Sequence, residues 1–430
     1  MAFLFSTTFF YCGAFVYAVP GYSHLRAGGS LYLQSYQFTE ETVLLGALAT
    51  VVGIAGFVLG CWLSTVPAAS PSPRGDDPLR IDGIYRTKVM WGLTFFALCG
   101  FLLNGVSLPI PMLQALAQVA RNVAVAIICL GAALTIFVDR RSYGYWVAVG
   151  CTIPAAYLIL WGFVSYGFII FTVYAGFWLG VLAPKRLGVW KIGVGAALIT
   201  YLLLSLFVAW MSFRDELRAV LWSGADFNAR LGAVLEAFGK TELLRPDNFE
   251  SLDWINSRLN QYIFVGKAIE LHELVPDLQM NGETILLALL AWVPRFLWPG
   301  KPEMGGSDFV AEHTGLHFAE GATFGAGPVF EFYVNFSYAG VFFGFTLLGI
   351  VLCRLDRSAV RALRQGRLLD FVRSFTTGLA FVAPLTDLFF IVSTACISWL
   401  VLTGIKMILD NRAAESPSRR SARRASASQM

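Results

Sequence analysis

The chain alternates long apolar stretches with short polar ones. Runs of about 20 apolar residues, the length that crosses a hydrocarbon core ~30 Å thick, fall at roughly residues 2–20, 41–65, 88–109, 112–138, 145–163, 165–183, 190–211, 329–352, 369–388 and 389–409. The pattern predicts an all-α fold, a polytopic membrane helix bundle of about ten spans. One apolar run is too short for a crossing. From Thr284 to Trp298 it covers about 15 residues, which suits a re-entrant half-membrane segment.

Basic residues in the loops set the orientation, because Lys and Arg accumulate on the cytoplasmic side. Arg74, Arg80, Arg86 and Lys88 follow the second run, and Arg140 and Arg141 the fourth. Lys185, Arg186 and Lys191 follow the sixth, and Arg354, Arg357, Arg361, Arg364 and Arg367 the eighth. All fall on one side if both termini are cytoplasmic and the short run does not cross. The opposite short loops carry little beyond Arg26.

The chain then divides into an N-terminal transmembrane bundle over 1–211, a non-cytoplasmic domain over 212–328 that includes the re-entrant segment 284–298, C-terminal transmembrane helices over 329–410, and a tail over 411–430. The inserted domain has helical periodicity of its own at Phe227 to Phe238 and at Trp254 to Leu274, where Trp254, Leu259, Ile263 and Ala268 recur near helical spacing. It is expected to fold as a cap over the bundle. The tail, rich in Ser, Arg and Ala, is expected to be disordered, with its arginines against anionic headgroups of the inner leaflet.

Composition agrees with a membrane protein. Hydrophobic residues make up 57% of the chain and charged ones 14%, which excludes an ordinary soluble domain. The apolar N-terminus lacks a basic leading segment, so an uncleaved first span is expected rather than a signal peptide. The seven Cys sit in or beside the apolar runs, so disulfides are not expected to hold the cap.

Candidate chemistry concentrates between Val293 and Phe336. Arg295, Lys301, Glu303, Asp308, His313, His317, Glu320 and Glu331 stand there among Gly, Pro and aromatic residues. Ionisable groups at a membrane edge are costly unless paired or wet, so such a cluster marks a functional site. Arg214, Arg258, Arg295 and Lys301 are candidate diphosphate ligands, since guanidinium forks suit phosphate oxygens and lysine adds a point charge. Arg214 can instead pair with Asp215. Glu331, His313 and Asp387 are candidate proton acceptors. His313 and His317, four apart, share a face if that stretch is helical. With no third ligand in register, neither a metal nor any other cofactor is expected. Gln114, Gln118, Arg121 and Asn122 fall on one face of the fourth run, either lining a cavity or sealing a hydrogen-bond network. The chain has no P-loop, HExxH, GxSxG, CxxC or DxD motif, which disfavours nucleotide-driven and zinc chemistry.

The run VPRFLWPGKP from Val293 to Pro302, followed by GAGPVFEFYVNFSYAGV from Gly325 to Val341, resembles the closing section of bacterial oligosaccharide repeat-unit polymerases of the O-antigen (Wzy-like) type. The likeness covers roughly fifty residues, with Ser337 where that family more commonly has glycine, and the topology agrees over the rest. The resemblance implies a metal-independent, inverting glycosyltransferase at the periplasmic face of the bacterial inner membrane. It would join undecaprenyl-diphosphate-linked oligosaccharide repeat units into O-antigen or exopolysaccharide. Arg295, Lys301 and Glu331 carry over from the matched motif. Implied partners are lipid-linked glycans, membrane lipids, a flippase and a chain-length regulator, with no nucleic acid. Two alternatives stay open. One is an O-antigen ligase, with the same donor and another acceptor, and the other a polysaccharide or lipid-carrier transporter.

Overall fold

The computed structural model describes residues 38–64, 83–104, 111–137, 189–239, 251, 262–293, 297–301, 306–318, 325, 327–382 and 386–427. Every regular element among them is helical. In chain order these are α1 (Glu40–Ser64), α2 (Gly83–Asn104), α3 (Pro111–Phe137), α4 (Val189–Trp222), α5 (Phe227–Gly239), α6 (Tyr262–Leu274), α7 (Glu283–Leu289), α8 (Gly306–Thr314), α9 (Gly327–Arg364), α10 (Leu368–Ala380) and α11 (Leu388–Ala427). Among the described residues, four stretches are long and apolar enough to cross a membrane: Glu40–Ser64, Leu116–Leu134, Gly327–Arg364 and Leu388–Leu409. The expected runs at 2–20, 145–163 and 165–183 lie outside the described residues.

Without a hydrophobic effect between helices in lipid, close packing of small residues has to hold them together. α1 shows how. A Cβ added at Gly56 would fall 2.3 Å from the Phe342 carbonyl oxygen, and one at Gly46 would fall 1.8 Å from that of Tyr262. Glycine therefore lets α1 touch the backbones of both α9 and α6. Gly53 meets Val341 and Phe345, Gly60 meets Thr346, and the Arg357 guanidinium donates to the Ser64 carbonyl. Contacts advance together along the two chains, so α1 and α9 run parallel.

α9 is not one rod. Its backbone leaves helical geometry at Phe336 (φ −143°, ψ 25°) and Ser337 (φ 55°, ψ −151°). In a straight helix Phe332 and Gly344 would stand about 18 Å apart at 1.5 Å per residue. Instead a Cβ at Gly344 would lie 2.6 Å from the Phe332 ring, and Phe332 meets Phe345 with ring centroids 5.7 Å apart. Residues 327–335 are thus a short arm folded back on the long helix that follows.

The expected span at 369–388 is built differently from a full helix. α10 has 13 residues, about 20 Å, and ends at Ala380, with Phe381 and Val382 outside the helix. Apart from Arg373, α10 is buried throughout. A helix this short is tolerated at membrane depth when protein rather than lipid surrounds it.

Elements of the inserted region gather at one end of this bundle. α6 packs on the start of α1, where the Thr42 hydroxyl donates to Glu270 and Lys267 pairs with the same carboxylate at 2.8 Å. α7 lies against α9 and α11, and α8 against α6. The expected helix at Phe227 to Phe238 forms as α5. Of the expected Trp254 to Leu274 helix, Tyr262–Leu274 forms, with Trp254 and Leu259 outside the described residues. The apolar run from Thr284 makes one seven-residue helix and then turns to Val293, too short to cross.

Candidate functional site

The start of α11 organises the site. Asp387 and Leu388 stand where α11 begins, and three other segments send groups to this point. Glu331 arrives on the folded-back arm of α9 and accepts a hydrogen bond from the Leu388 amide at 2.5 Å. Asp387 accepts one from the Gly306 amide at the start of α8, 3.1 Å away. Lys301 holds its ammonium 4.9 Å from the centre of the Phe389 ring. Both carboxylates are buried, with 3% and 4% of their surface exposed.

Charged groups are tolerated at such depth only when surrounding dipoles are fixed. Asn335 fixes them here. It lies four residues after Glu331, hence on the same face of the arm, and is fully buried. Its amide donates to Thr284 Oγ1 at 2.6 Å and to the Glu331 carbonyl at 2.7 Å, while its Oδ1 accepts from the Gly282 amide at 2.9 Å. One side chain thereby ties the start of α7 to the arm. The Thr284 hydroxyl in turn faces the Glu331 carboxyl. A second tie joins the same segments, as the Met280 amide donates to the Val334 carbonyl at 3.0 Å.

Lys301 differs from the mobile point charge read from the sequence. Its ammonium donates to the carbonyls of Ala291, at 2.5 Å, and Val293, at 3.0 Å, closing the turn after α7. Its charge is held in place over the Phe389 ring, two residues along the chain from Asp387. Arg295, Arg258, Glu303 and Glu320 lie outside the described residues, as does the side chain of Gln114.

His313 sits behind this centre. It is 1% exposed, and its ring meets those of Phe309 at 4.8 Å and Phe330 at 6.3 Å, the latter adjoining Glu331. The pairing expected with His317 does not form, because α8 ends at Thr314 and Gly315 turns the chain with φ 67°. His317 is exposed. The partner of His313 is His272 of α6, whose Nε2 stands 3.1 Å from His313 Nδ1. Burial first, and the neighbouring His272 second, push the His313 imidazole down to about 4, so it is neutral at pH 7. Its buried Nε2 has no hydrogen-bond partner among the described residues. No group of three or more potential metal ligands occurs among the described residues.

The remaining candidates lie apart from this centre. Arg214 donates to Asp215 at 3.0 Å, the pairing its neighbourhood in sequence allowed. It sits on the stretch of α4 that packs with α5 through Trp210, Leu217, Val234 and Ala237, a cluster separate from the main core. Gln118 and Arg121 are half-buried on α3, whose neighbouring positions Ala117, Val119, Ala120 and Val123 are buried.

Sequence reasoning missed Asn335, Thr284 and His272. Asn335 carried a usable signal, since an amide four residues after a carboxylate in an aromatic run has to find buried partners. Thr284 and His272 carried none, because their roles depend on tertiary contacts. No family model, curated protein or solved structure matches the chain.

Proposed function

We propose that this protein is an inner-membrane glycosyltransferase that polymerises undecaprenyl-diphosphate-linked repeat units at the periplasmic face, with both termini in the cytoplasm. The observation that carries the reading is that the buried carboxyls of Glu331 and Asp387 meet at the start of α11, with Lys301 over the neighbouring Phe389 ring. Two carboxylates and a fixed cation at a membrane edge provide the parts that an inverting transfer needs.

The acceptor hydroxyl attacks the anomeric carbon of the sugar attached to the diphosphate. A new glycosidic C–O bond forms as the bond from that carbon to the phosphate oxygen breaks, and undecaprenyl diphosphate leaves with the electron pair. The hydroxyl proton passes to the carboxylate of Glu331 or Asp387, acting as general base. Lys301, joined by Arg295 from the adjoining motif, offsets the charge that grows on the leaving diphosphate. Fixing Lys301 on two carbonyls suits this role, because a preorganised cation needs no rearrangement as the charge develops.

Glu331→Gln and Asp387→Asn, each expressed in a strain lacking the native chain, test the reading through the length distribution of surface glycan. Single repeat units with no ladder are expected, from protein that inserts at normal levels. Normal ladders from both variants reject the site. Full-length polymer left on its lipid carrier points to the ligase alternative instead. Labelling of single cysteines at Asp308 and His317, both exposed, by a membrane-impermeant reagent on intact spheroplasts places this end of the bundle outside. Protection at both positions excludes the proposed orientation.

A further inference from the structure

The opposite end of the bundle carries a second charged cluster that the proposed chemistry does not use. Asp370 of α10 is buried, and three cations meet its carboxylate: Lys406 of α11 at 2.8 Å, Arg373 at 3.0 Å and Arg367 at 3.6 Å. Lys406 lies 18 residues beyond Leu388 on one helix, about 27 Å away, which is close to the depth of a hydrocarbon core. The cluster and the Glu331 site therefore stand at opposite membrane faces.

Three cations around one carboxylate leave two positive charges in excess among the groups in contact. A purely structural ion pair needs only one cation. The cations are also shaped toward an outside ligand. Side chains of Arg367 and Lys406 are 55% and 30% exposed, so each can offer donors outward while touching Asp370. Arg373 is fixed by stacking 4.2 Å from the centre of the Trp399 ring and by donating to the Thr403 hydroxyl at 3.4 Å. Trp399 is itself partly exposed, about 10 Å nearer the bilayer centre than Lys406 along α11. On the bilayer side of Lys406 along the same helix, Leu400 exposes apolar surface at 56%. A phosphate held by the cations would have its acyl chains running beside these side chains.

We propose that Arg367, Arg373 and Lys406, organised by Asp370, bind the phosphate of an anionic glycerophospholipid at the face opposite the Glu331 site. The phosphate oxygens accept hydrogen bonds from Arg367 and Lys406, and the apolar flank of α11 selects a lipid over a free ion. This site is independent of the proposed transferase chemistry and stands whether or not that chemistry is correct.

The test is native mass spectrometry of the full chain, purified and re-exposed to phosphatidylglycerol or phosphatidylcholine. Wild type should retain phosphatidylglycerol preferentially. A basic residue near an anionic surface is worth about fivefold in affinity, so Arg367→Gln combined with Lys406→Gln should weaken retention by ~30-fold. Equal retention of the two lipids by wild type overturns the proposal, as does an unchanged preference in the folded double variant. If that variant does not fold, Arg367→Gln alone decides. It removes the longest and most exposed of the three contacts, and a preference reduced by about fivefold is expected, with no change counting against the site. Displacement of phosphatidylglycerol by excess inorganic phosphate would show a free-anion site and overturn the lipid assignment. Quenching by brominated phosphatidylglycerol that falls when Trp399 is replaced by Phe supports it, and undiminished quenching places the lipid elsewhere.

Discussion

Asn335→Ala should be among the most damaging single changes in the described part of this protein. The side chain is fully buried and makes three hydrogen bonds, two donated and one accepted. At about 1 kcal/mol net for each, and a further ~1–3 kcal/mol for the Gly282 amide left without its acceptor, the loss is roughly 4–6 kcal/mol. Thr284→Ala removes only one of these partners and should cost about 1 kcal/mol. The two changes share the 2.6 Å bond, so their effects should not add. Hydrogen bonds inside membrane proteins couple by ~0.6 kcal/mol on average and up to ~1.7 kcal/mol, and this short, fully buried one belongs in the upper half of that range. Equilibrium unfolding of wild type, both single variants and the double variant in mixed detergent micelles measures the coupling. Strict additivity, or an Asn335→Ala cost within 0.5 kcal/mol of zero on the scale of ordinary surface changes, refutes the assignment of Asn335 as the tie between α7 and the arm.

Ser337→Gly should be neutral to stabilising. Relief of a non-glycine residue at φ 55°, ψ −151° is worth about 1–3 kcal/mol, and the bond from Gln279 to the Ser337 hydroxyl at 3.2 Å offsets about 1 kcal/mol of it. A clear loss in the same unfolding assay contradicts the strain. Stability should fall on acidification between pH 6.5 and about 4, because the unfolded chain takes up a proton at His313's usual value of 6.5 while the folded protein resists until about 4. The loss is roughly 2–3 kcal/mol, complete below the folded value and absent above pH 7. His313→Phe should flatten the pH dependence in that window, and an unchanged profile disproves the assignment. Gly46→Ala should separate α6 from α1, since its Cβ would fall 1.8 Å from a backbone oxygen that cannot move alone. Cross-linking of Thr42→Cys to Lys267→Cys should drop, and an undiminished yield argues against that packing.

Much of the fold was legible because bilayer thickness and helical rise leave few solutions for an apolar run. The ends of α1, α3 and α5 fall within one or two residues of the expected ones. The same rule failed where protein replaces lipid as the neighbour. α10 could be short because its surroundings are other helices, and nothing in its composition distinguishes it from a lipid-facing span. The site was legible in part. Glu331, Asp387 and Lys301 stood out as ionisable groups in apolar contexts, and the structure sets Glu331 and Asp387 at the start of α11 and Lys301 over Phe389. His313 met a partner 41 residues away rather than the neighbour four residues on, because the helix ended first.

The fold-back of α9 gives the placement of Glu331 a physical cause. Were α9 straight, the 327–335 arm would extend beyond the bundle and lift Glu331 away from α11. The break at Phe336 and Ser337 turns the arm back, and Gly340 and Gly344 clear room for Phe332 against the long helix. Asn335, one residue before the break, then locks the arm to α7. The backbone departs from regular geometry at the same place where buried polar side chains are densest. Strain of that kind persists only where neighbouring contacts over-determine it, and here those contacts are the ones that carry Glu331 to the Leu388 amide. On the proposed transferase function, loosening the tie at Asn335 should therefore reduce glycan polymerisation before it reduces membrane insertion. Equal loss of both in Asn335→Ala would mean that the arm serves folding alone.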